Sequence, residues 1–280
     1  MMQFFRDVAH NPFLATGLLA GLLASLACGV VGPYVVTKRI VFLSGAIAHM
    51  AVAGVGATIW LNDKIPAMDW FQPVHGAMVA ALAGAILIAF VHEHVAERMD
   101  TLIGALWAVG MAVGILFIKL TPGYHTELMS YLFGNISVVK SSDVVLLAVL
   151  NLIILAIALA YHKRFLAICL DQQQAEIQGI NVFATNAVLL CLVALTVICL
   201  TQIVGLILVM ALLTLPAAAA AHHVDRISGT MIVATGLSLA ITTLPRLAVY
   251  GTSISPESAI VLAAGAVYLG STLWHVRRSE

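Results

Sequence analysis

The sequence predicts an all-helical membrane protein, and both its composition and the length of its apolar stretches lead to this fold class. Hydrophobic residues make up 62% of the 280-residue chain, whereas charged residues make up only 9%. The mean hydropathy is +1.06. Soluble domains carry roughly a quarter charged residues, and a chain of this size cannot hide so much apolar surface from water. The composition therefore excludes a soluble globular enzyme and predicts the lipid bilayer as a partner.

Nine stretches are apolar over a length that suits a membrane-spanning helix, which needs about 20 residues. Their approximate bounds are Phe13–Val36, Ile40–Leu61, Pro73–Val91, Thr101–Ile118, Asp143–Tyr161, Thr185–Leu200, Ile203–Ala221, Gly229–Val249 and Glu257–Trp274. The apolar segment Tyr131–Val139 is too short to span a bilayer and suits an interfacial or re-entrant segment. We expect a single transmembrane domain over residues 1–280, with about nine helices and with its two termini on opposite sides.

Lysine and arginine residues predict the orientation of these helices, because cytoplasmic loops carry an excess of them. One assignment places eight of the thirteen in the cytoplasm, namely Lys38, Arg39, Arg98, Lys163, Arg164, Arg226, Arg277 and Arg278. The adjacent basic pairs all fall on that side. We therefore expect an extracytoplasmic N-terminus and a cytoplasmic C-terminus.

The sequence also excludes several functions. Thirteen Lys and Arg balance thirteen Asp and Glu, so we expect no surface for nucleic acid. The chain has no GxxxxGKS/T phosphate-binding loop, no HExxH pair and no GxSxG nucleophile motif. Its carboxylates lie outside the apolar stretches or at their ends, whereas an intramembrane enzyme or a proton pump usually has one at depth. We therefore expect no catalytic residue in this chain.

One histidine stands inside a predicted span. His49 lies nine residues into the second stretch, and at about 1.5 Å per residue this is near the centre of the bilayer. An ionisable side chain there is costly unless it faces a polar cavity or a partner, so a functional role is the first hypothesis. The alternative is a structural hydrogen bond between helices. Neutral imidazole is also a common ligand for transition metals such as Zn²⁺.

A weaker metal candidate lies at a helix end, where His92, Glu93 and His94 are followed by Glu97. These side chains could gather a metal ion on the cytoplasmic side. A solvated helix face is the simpler interpretation, because charged residues are rarely buried.

The longest polar stretch on the predicted cytoplasmic side is Lys163–Asn181. Within it, Asp171, Ala175 and Gly179 are spaced four apart and so lie on one face of a short helix. A flat face of this kind suits docking against another protein. An ordinary connecting helix is the alternative that the residues leave open.

Several segments resemble the permease subunits of bacterial metal-ion ABC transporters of the zinc/manganese/iron class, the ABC-3 type. The stretch Gly32–Gly54, GPYVVTKRIVFLSGAIAHMAVAG, looks like the hallmark of this family. Four further segments match in the same order along the chain, namely Glu97–Gly104, Leu128–Asn135, Asp171–Gly179 and Gln202–Ala221. Their joint order over nearly the whole chain makes a chance match improbable.

The resemblance implies an all-helical permease similar to the core of type II importers such as the vitamin B12 transporter, in a bacterial cytoplasmic membrane. Two permease subunits, expected to be identical, would form the pathway. Separate ATPase subunits would dock on the cytoplasmic side at Asp171, Ala175 and Gly179, and an extracytoplasmic binding protein would deliver the metal. The chain would bind no resident cofactor, and its substrate would be zinc or manganese, with iron as a further candidate. His49 matches the family histidine thought to line the pathway.

The sequence departs from the family at one position of this pathway. Many members carry Asp four residues before the histidine, whereas this chain has Gly45, preceded by Ser44. Two His49 side chains, assisted by Ser44 or backbone carbonyls, would then have to hold an ion without a carboxylate. An importer of a metal chelate or cofactor is therefore the alternative function. An ion-coupled secondary transporter fits less well, because the sequence shows neither an inverted repeat nor a membrane carboxylate.

Overall fold

The computed structural model describes residues 12–68, 70–94, 99–122, 141–252 and 254–279, and within these ranges the chain is helical and has no strand. The ten α-helices are α1 Pro12–Thr37, α2 Val41–Lys64, α3 Pro73–His94, α4 Met99–Lys119, α5 Ser141–Leu170, α6 Gln172–Ile177, α7 Val182–Val204, α8 Leu206–Ala221, α9 Ile227–Ala248 and α10 Pro256–Ser279. A short 3₁₀ turn at Pro66–Met68 follows α2. The predicted all-α class is confirmed.

Eight of the described helices are long and apolar enough to cross a membrane, and α8 is a shorter apolar helix of 16 residues. The sequence predicts the break between the sixth and seventh spans just after Leu200, whereas in the structure it falls at Gly205, whose φ of 82° is costly for residues other than glycine and ends α7. Helix α5 runs on to Leu170, about two turns beyond the predicted end at Tyr161. The segment Tyr131–Val139 lies outside the described residues.

One compact unit contains α1, the first part of α5, and α8, α9 and α10. Helix α1 packs on α8 and α9 through small side chains. The hydroxyls of Ser25 and Thr242 lie 2.9 Å apart and join α1 to α9. One turn further along α1, a Cβ atom on Gly29 would overlap Thr235. Small residues therefore let these helices approach closely, as is common between membrane helices.

A second compact unit contains α2, α3, α4 and residues 161–198, and α2 is its core. In the most apolar window of α2, 78% of the residues are buried, against 22% in α4. Glycines make this burial possible. A Cβ atom on Gly54 would overlap the Gly76 carbonyl of α3, and one on Gly56 would overlap the Gly114 carbonyl of α4. A Cβ atom on Gly110 would lie 2.9 Å from the His49 carbonyl oxygen. The backbones of α2 and α4 are therefore nearly in contact along a shared stripe.

Gly114→Ala should destabilise the fold, because the new Cβ atom would lie 2.7 Å from the Val52 carbonyl oxygen and would push α4 away from α2. Overpacking of this kind costs about 1–3 kcal/mol. Unfolding in mixed micelles, followed by circular dichroism, would measure the loss. Gly104→Ala is the matched control on the same helix, because nothing lies within 4 Å of its Cβ position. Equal stability of the two variants would contradict the close packing described.

Candidate functional site: a buried histidine and a capped surface helix

His49 is buried in α2, with a side chain only 7% exposed. Its ring stacks on the indole of Trp107 from α4, with the ring centroids 4.6 Å apart and the planes 27° apart. The Nδ1 atom is buried and has no hydrogen-bond partner among the described residues. Nδ1 of His49 therefore makes no structural hydrogen bond to another described helix. The imidazole keeps a free nitrogen inside a membrane span.

Ser44 and Gly45 are also buried on α2. The Ser44 hydroxyl donates to the Val41 carbonyl at 2.6 Å, a bond within the same helix. Gly45 stands one turn before His49 and contributes no side chain. Among the described residues, the buried polar and charged side chains include no carboxylate. Within that part of the chain, no group of three or more His, Cys, Asp or Glu side chains is arranged to hold a metal ion. His49 is therefore a single ligand and not part of a preformed metal site within one chain.

The spacing of Asp171, Ala175 and Gly179 predicts one flat helix face, and the structure corrects this: Asp171 precedes α6, Gly179 follows it, and Ala175 is buried within it. The Asp171 carboxylate accepts from the backbone N–H groups of Gln173 and Gln174, at 2.9 and 3.1 Å, and caps the helix N-terminus. Gly179 has a φ of 79°, and its N–H donates to the Glu176 carbonyl while the next N–H donates to the Ala175 carbonyl. This is the Schellman arrangement that ends helices at a glycine.

The side chain of Ala175 is 1% exposed and points into the unit, whereas the exposed side of α6 carries other residues. Ile177 is 87% exposed there, although an isoleucine in contact with water is unfavourable. Next to this helix lies an open cavity of about 670 Å³, lined by Ala89 of α3, by residues of α6 and by Gly179–Asn186 at the start of α7. The docking role of Asp171, Ala175 and Gly179 stays a prediction. The surface that a partner would meet is that of Ile177 and the polar side chains around it.

The weaker metal candidates are only partly described. His92, Glu93 and His94 form the last turn of α3, and Glu97 lies outside the described residues. Their role as metal ligands stays a prediction.

A cluster of histidines joins the C-terminal end of α8 to α10, and sequence analysis did not find it. The Ser271 hydroxyl lies 3.1 Å from Nδ1 of His222 and 3.0 Å from Nε2 of His223, and it donates to the Ala219 carbonyl. The rings of His222 and His275 stack with their centroids 5.2 Å apart. Burial, with smaller contributions from His275 and His223, lowers the pKa of His222, so the neutral imidazole is favoured. His222 and His275 are 53 positions apart, so no local pattern of residues indicates this contact.

A second ionisable side chain, Arg246, is buried at the end of a span. In the sequence, Arg246 lies three residues before the end of the predicted stretch Gly229–Val249. The structure puts it in the last turn of α9 with only 3% of its side chain exposed. Its two terminal nitrogens have no hydrogen-bond partner among the described residues. The neighbouring Pro245 within the helix marked this turn as unusual, but burial depends on packing that the sequence does not show.

In the described part of the chain, membrane-length helices bury one histidine and expose a capped helix between two of them, features that fit a membrane permease. The chain belongs to the ABC 3 transport family, whose model matches residues 10–275. This finding confirms the family that the sequence motifs indicated, and with it the assignment of the chain as a transport protein.

Relatives match the chain over almost its whole length. A protein of Chlamydia muridarum named "Probable metal transport system membrane protein" is 36% identical over 94% of this chain and 89% of its own. The "Manganese transport system membrane protein MntC" of Listeria monocytogenes is 27% identical over 95% of this chain and 92% of its own. The solved structure of PsaBC from Streptococcus pneumoniae in complex with Fab matches with a TM-score of 0.80 and 26% identity, over 96% of this chain and 94% of that one.

Asp171→Ala should loosen α6, because the N–H groups of Gln173 and Gln174 would lose their acceptor. Loss of an N-cap costs about 0.5–2 kcal/mol, so hydrogen exchange of the α6 amides should become roughly 2- to 30-fold faster. Asp171→Asn is the matched control, since asparagine caps a helix about as well as aspartate. Unchanged exchange in Asp171→Ala would mean that packing alone holds α6.

Proposed function

We propose that this chain is the permease subunit of an ATP-driven importer of a divalent metal ion, manganese or zinc, with iron as a further candidate. The observation that carries the proposal is His49, which is buried in the middle of a membrane span with a free Nδ1. An ionisable side chain in that position marks a substrate or ion path more often than a structural feature. The names of the Chlamydia and Listeria relatives support a metal substrate, and the second of them favours manganese.

The path would bind the ion weakly. Neutral imidazole coordinates Mn²⁺ and Zn²⁺, but no buried carboxylate among the described residues offsets the charge of the ion. A second copy of the chain would supply a second His49. Weak and short-lived binding suits a path through which ions have to leave as readily as they enter. The same absence of a carboxylate favours a metal chelate or cofactor as the second candidate substrate, because a neutral or wrapped ion needs no counter-charge.

The α6 surface would receive the ATPase subunit. The α6 side would then be cytoplasmic and the N-terminus extracytoplasmic, in a bacterial cytoplasmic membrane. ATP-driven closure of two ATPase subunits would be passed through α6 to the helices, which would alternate between an outward and an inward opening. An extracytoplasmic binding protein would present the metal at the opposite face. The chain itself would perform no chemistry.

His49→Ala should abolish metal accumulation, because the only buried imidazole in a described span would be lost. Uptake of Mn²⁺ and Zn²⁺ would be measured in proteoliposomes that contain the permease, its ATPase and its binding protein, with and without ATP. His223→Ala is the control, since His223 is an exposed imidazole at the end of α8. Wild-type uptake in His49→Ala would return this histidine to a structural role. A complex that hydrolyses ATP and accumulates no free ion would favour the chelate substrate.

Ile177→Glu should uncouple the ATPase from transport, because a charge would replace the most exposed apolar side chain of α6 at the proposed interface. Loss of an interface anchor costs about 2 kcal/mol or more, so ATP-driven uptake should fall at least tenfold while the permease still inserts and folds. Ile177→Leu keeps the apolar contact and should keep coupling. Full coupling in Ile177→Glu would place the interface elsewhere.

A further inference from the structure

Trp107 is the side chain that lies on the ring of His49, and the two residues differ in burial. His49 is 7% exposed and Trp107 is 36% exposed, so the indole forms the outer layer of the pair within this chain. The rings are nearly parallel, with 27° between their planes and 4.6 Å between their centroids. This is the offset arrangement in which one ring rests on the π face of the other. The imidazole is therefore covered on one face by an electron-rich surface.

The position of Trp107 follows from the packing of α2 on α4. Gly110 stands one turn after Trp107 on α4, and a Cβ atom there would lie 2.9 Å from the carbon and oxygen of the His49 carbonyl. This contact fixes the distance between the two backbones at the level of His49. The indole is thus held against the imidazole by a rigid helix pair and not by a loop. The Nδ1 atom of His49 keeps its lone pair or proton free within this arrangement.

In the proposed path, the stack of Trp107 on His49 affects the positive charge that the imidazole carries when an ion is bound. An imidazole that binds a divalent cation takes on part of its positive charge, and a buried carboxylate would be the ordinary counter-charge. The described residues offer none, and the residue one turn before His49 is Gly45. The face of an indole ring attracts positive charge through its quadrupole, more strongly than that of any other side chain. Trp107 is the aromatic face in contact with His49.

We propose that Trp107 is a positioning residue of the ion path, which holds the His49 ring in one orientation and stabilises the positive charge that this ring carries when an ion is bound. This inference rests on the proposed function, and it adds a residue that determines how tightly the ion is held. The ligand is a divalent transition-metal cation in contact with His49. The stack supplies part of the stabilisation that a carboxylate at position 45 would supply.

The same pair of helices contains a second aromatic contact, which serves as the matched control. Trp60 of α2 lies against Phe117 of α4, with centroids 5.4 Å apart and planes at 44°. Neither residue can coordinate a metal ion. A substitution at Trp60 therefore reports the cost of removing an indole from the α2–α4 interface, without any effect on charge at His49.

The first test measures uptake of Mn²⁺ as a function of concentration by the complete transporter in proteoliposomes. Trp107→Leu should raise KM by about 3- to 30-fold, the range expected from loss of a cation–π contact, with a smaller change in the maximal rate. Trp107→Phe should restore most of the affinity, because it keeps a π face. Trp60→Leu should leave KM unchanged. An unchanged KM in Trp107→Leu, or an equal rise in Trp60→Leu, would overturn the proposal.

The second test does not depend on the folding of a Trp107→Leu variant. Tryptophan fluorescence of the full permease chain in nanodiscs would be titrated with Mn²⁺, which is a paramagnetic quencher. Quenching should saturate in the wild type and in Trp60→Phe, and it should be lost in His49→Ala and in Trp107→Phe. Saturable quenching that persists in Trp107→Phe would show that the ion does not bind beside this indole.

An error in the proposed ion path and an error in the role of Trp107 would give different results. If His49→Ala transports like the wild type, the proposed path is wrong, and the role of Trp107 falls with it. If His49→Ala abolishes uptake while Trp107→Leu keeps the wild-type KM and quenching is absent, the path stands. Only the role of Trp107 is then overturned.

Discussion

The close contact of α2 with its neighbours is the constraint on which the candidate site depends. Glycines at positions 54 and 56 of α2, and at 76, 110 and 114 of α3 and α4, let backbone meet backbone. In lipid there is no hydrophobic force between helices, so van der Waals contact of this kind holds them together. At the same level of the interface, Trp107 of α4 lies against the ring of His49, with the ring centroids 4.6 Å apart. The packing of α2 on α4 therefore also positions the side chains of the proposed path.

Burial of the His49 imidazole in such an interface costs free energy. No hydrogen bond between Nδ1 and another described residue offsets that cost. A fold selected only for stability would place an apolar residue at position 49, because an unpaired polar group inside a membrane costs free energy. In the proposed transporter, an ion in transit would offer a different compensation, since it would supply the missing partner of His49 for part of each cycle. In the proposed transporter, the site is weak because its only compensating groups are an imidazole and a π face.

The fold could be predicted from the sequence because its main signal is local. Nine apolar stretches of the right length identify the helices. The break between the sixth and seventh stretches is predicted a few residues too early, because Gly205 lies inside the stretch Ile203–Ala221. Asp171 and Gly179 likewise indicate their own helix. The partners of His49 could not be predicted, because Trp107 is 58 positions away and its contact depends on the register of α2 against α4. The same holds for the burial of Arg246 and for the pairing of His222 with His275. Such contacts are fixed by helix packing, which a single sequence does not encode in any local pattern.

Helix α6 and the His49 site, the two parts of the proposed mechanism, are therefore stabilised by different kinds of interaction. Helix α6 has six residues, too few to be stable alone, and it persists because Asp171 caps one end, Gly179 ends the other, and Ala175 anchors the middle. A short element fixed at both ends and in the middle would suit the proposed contact with an ATPase. The His49 site instead depends on the spacing of two long helices, so a movement of α4 against α2 changes the stack directly. In the proposed mechanism, an ATPase bound at the locally encoded helix α6 would change ion affinity by moving α4 against α2, because the His49 site exists only through tertiary packing.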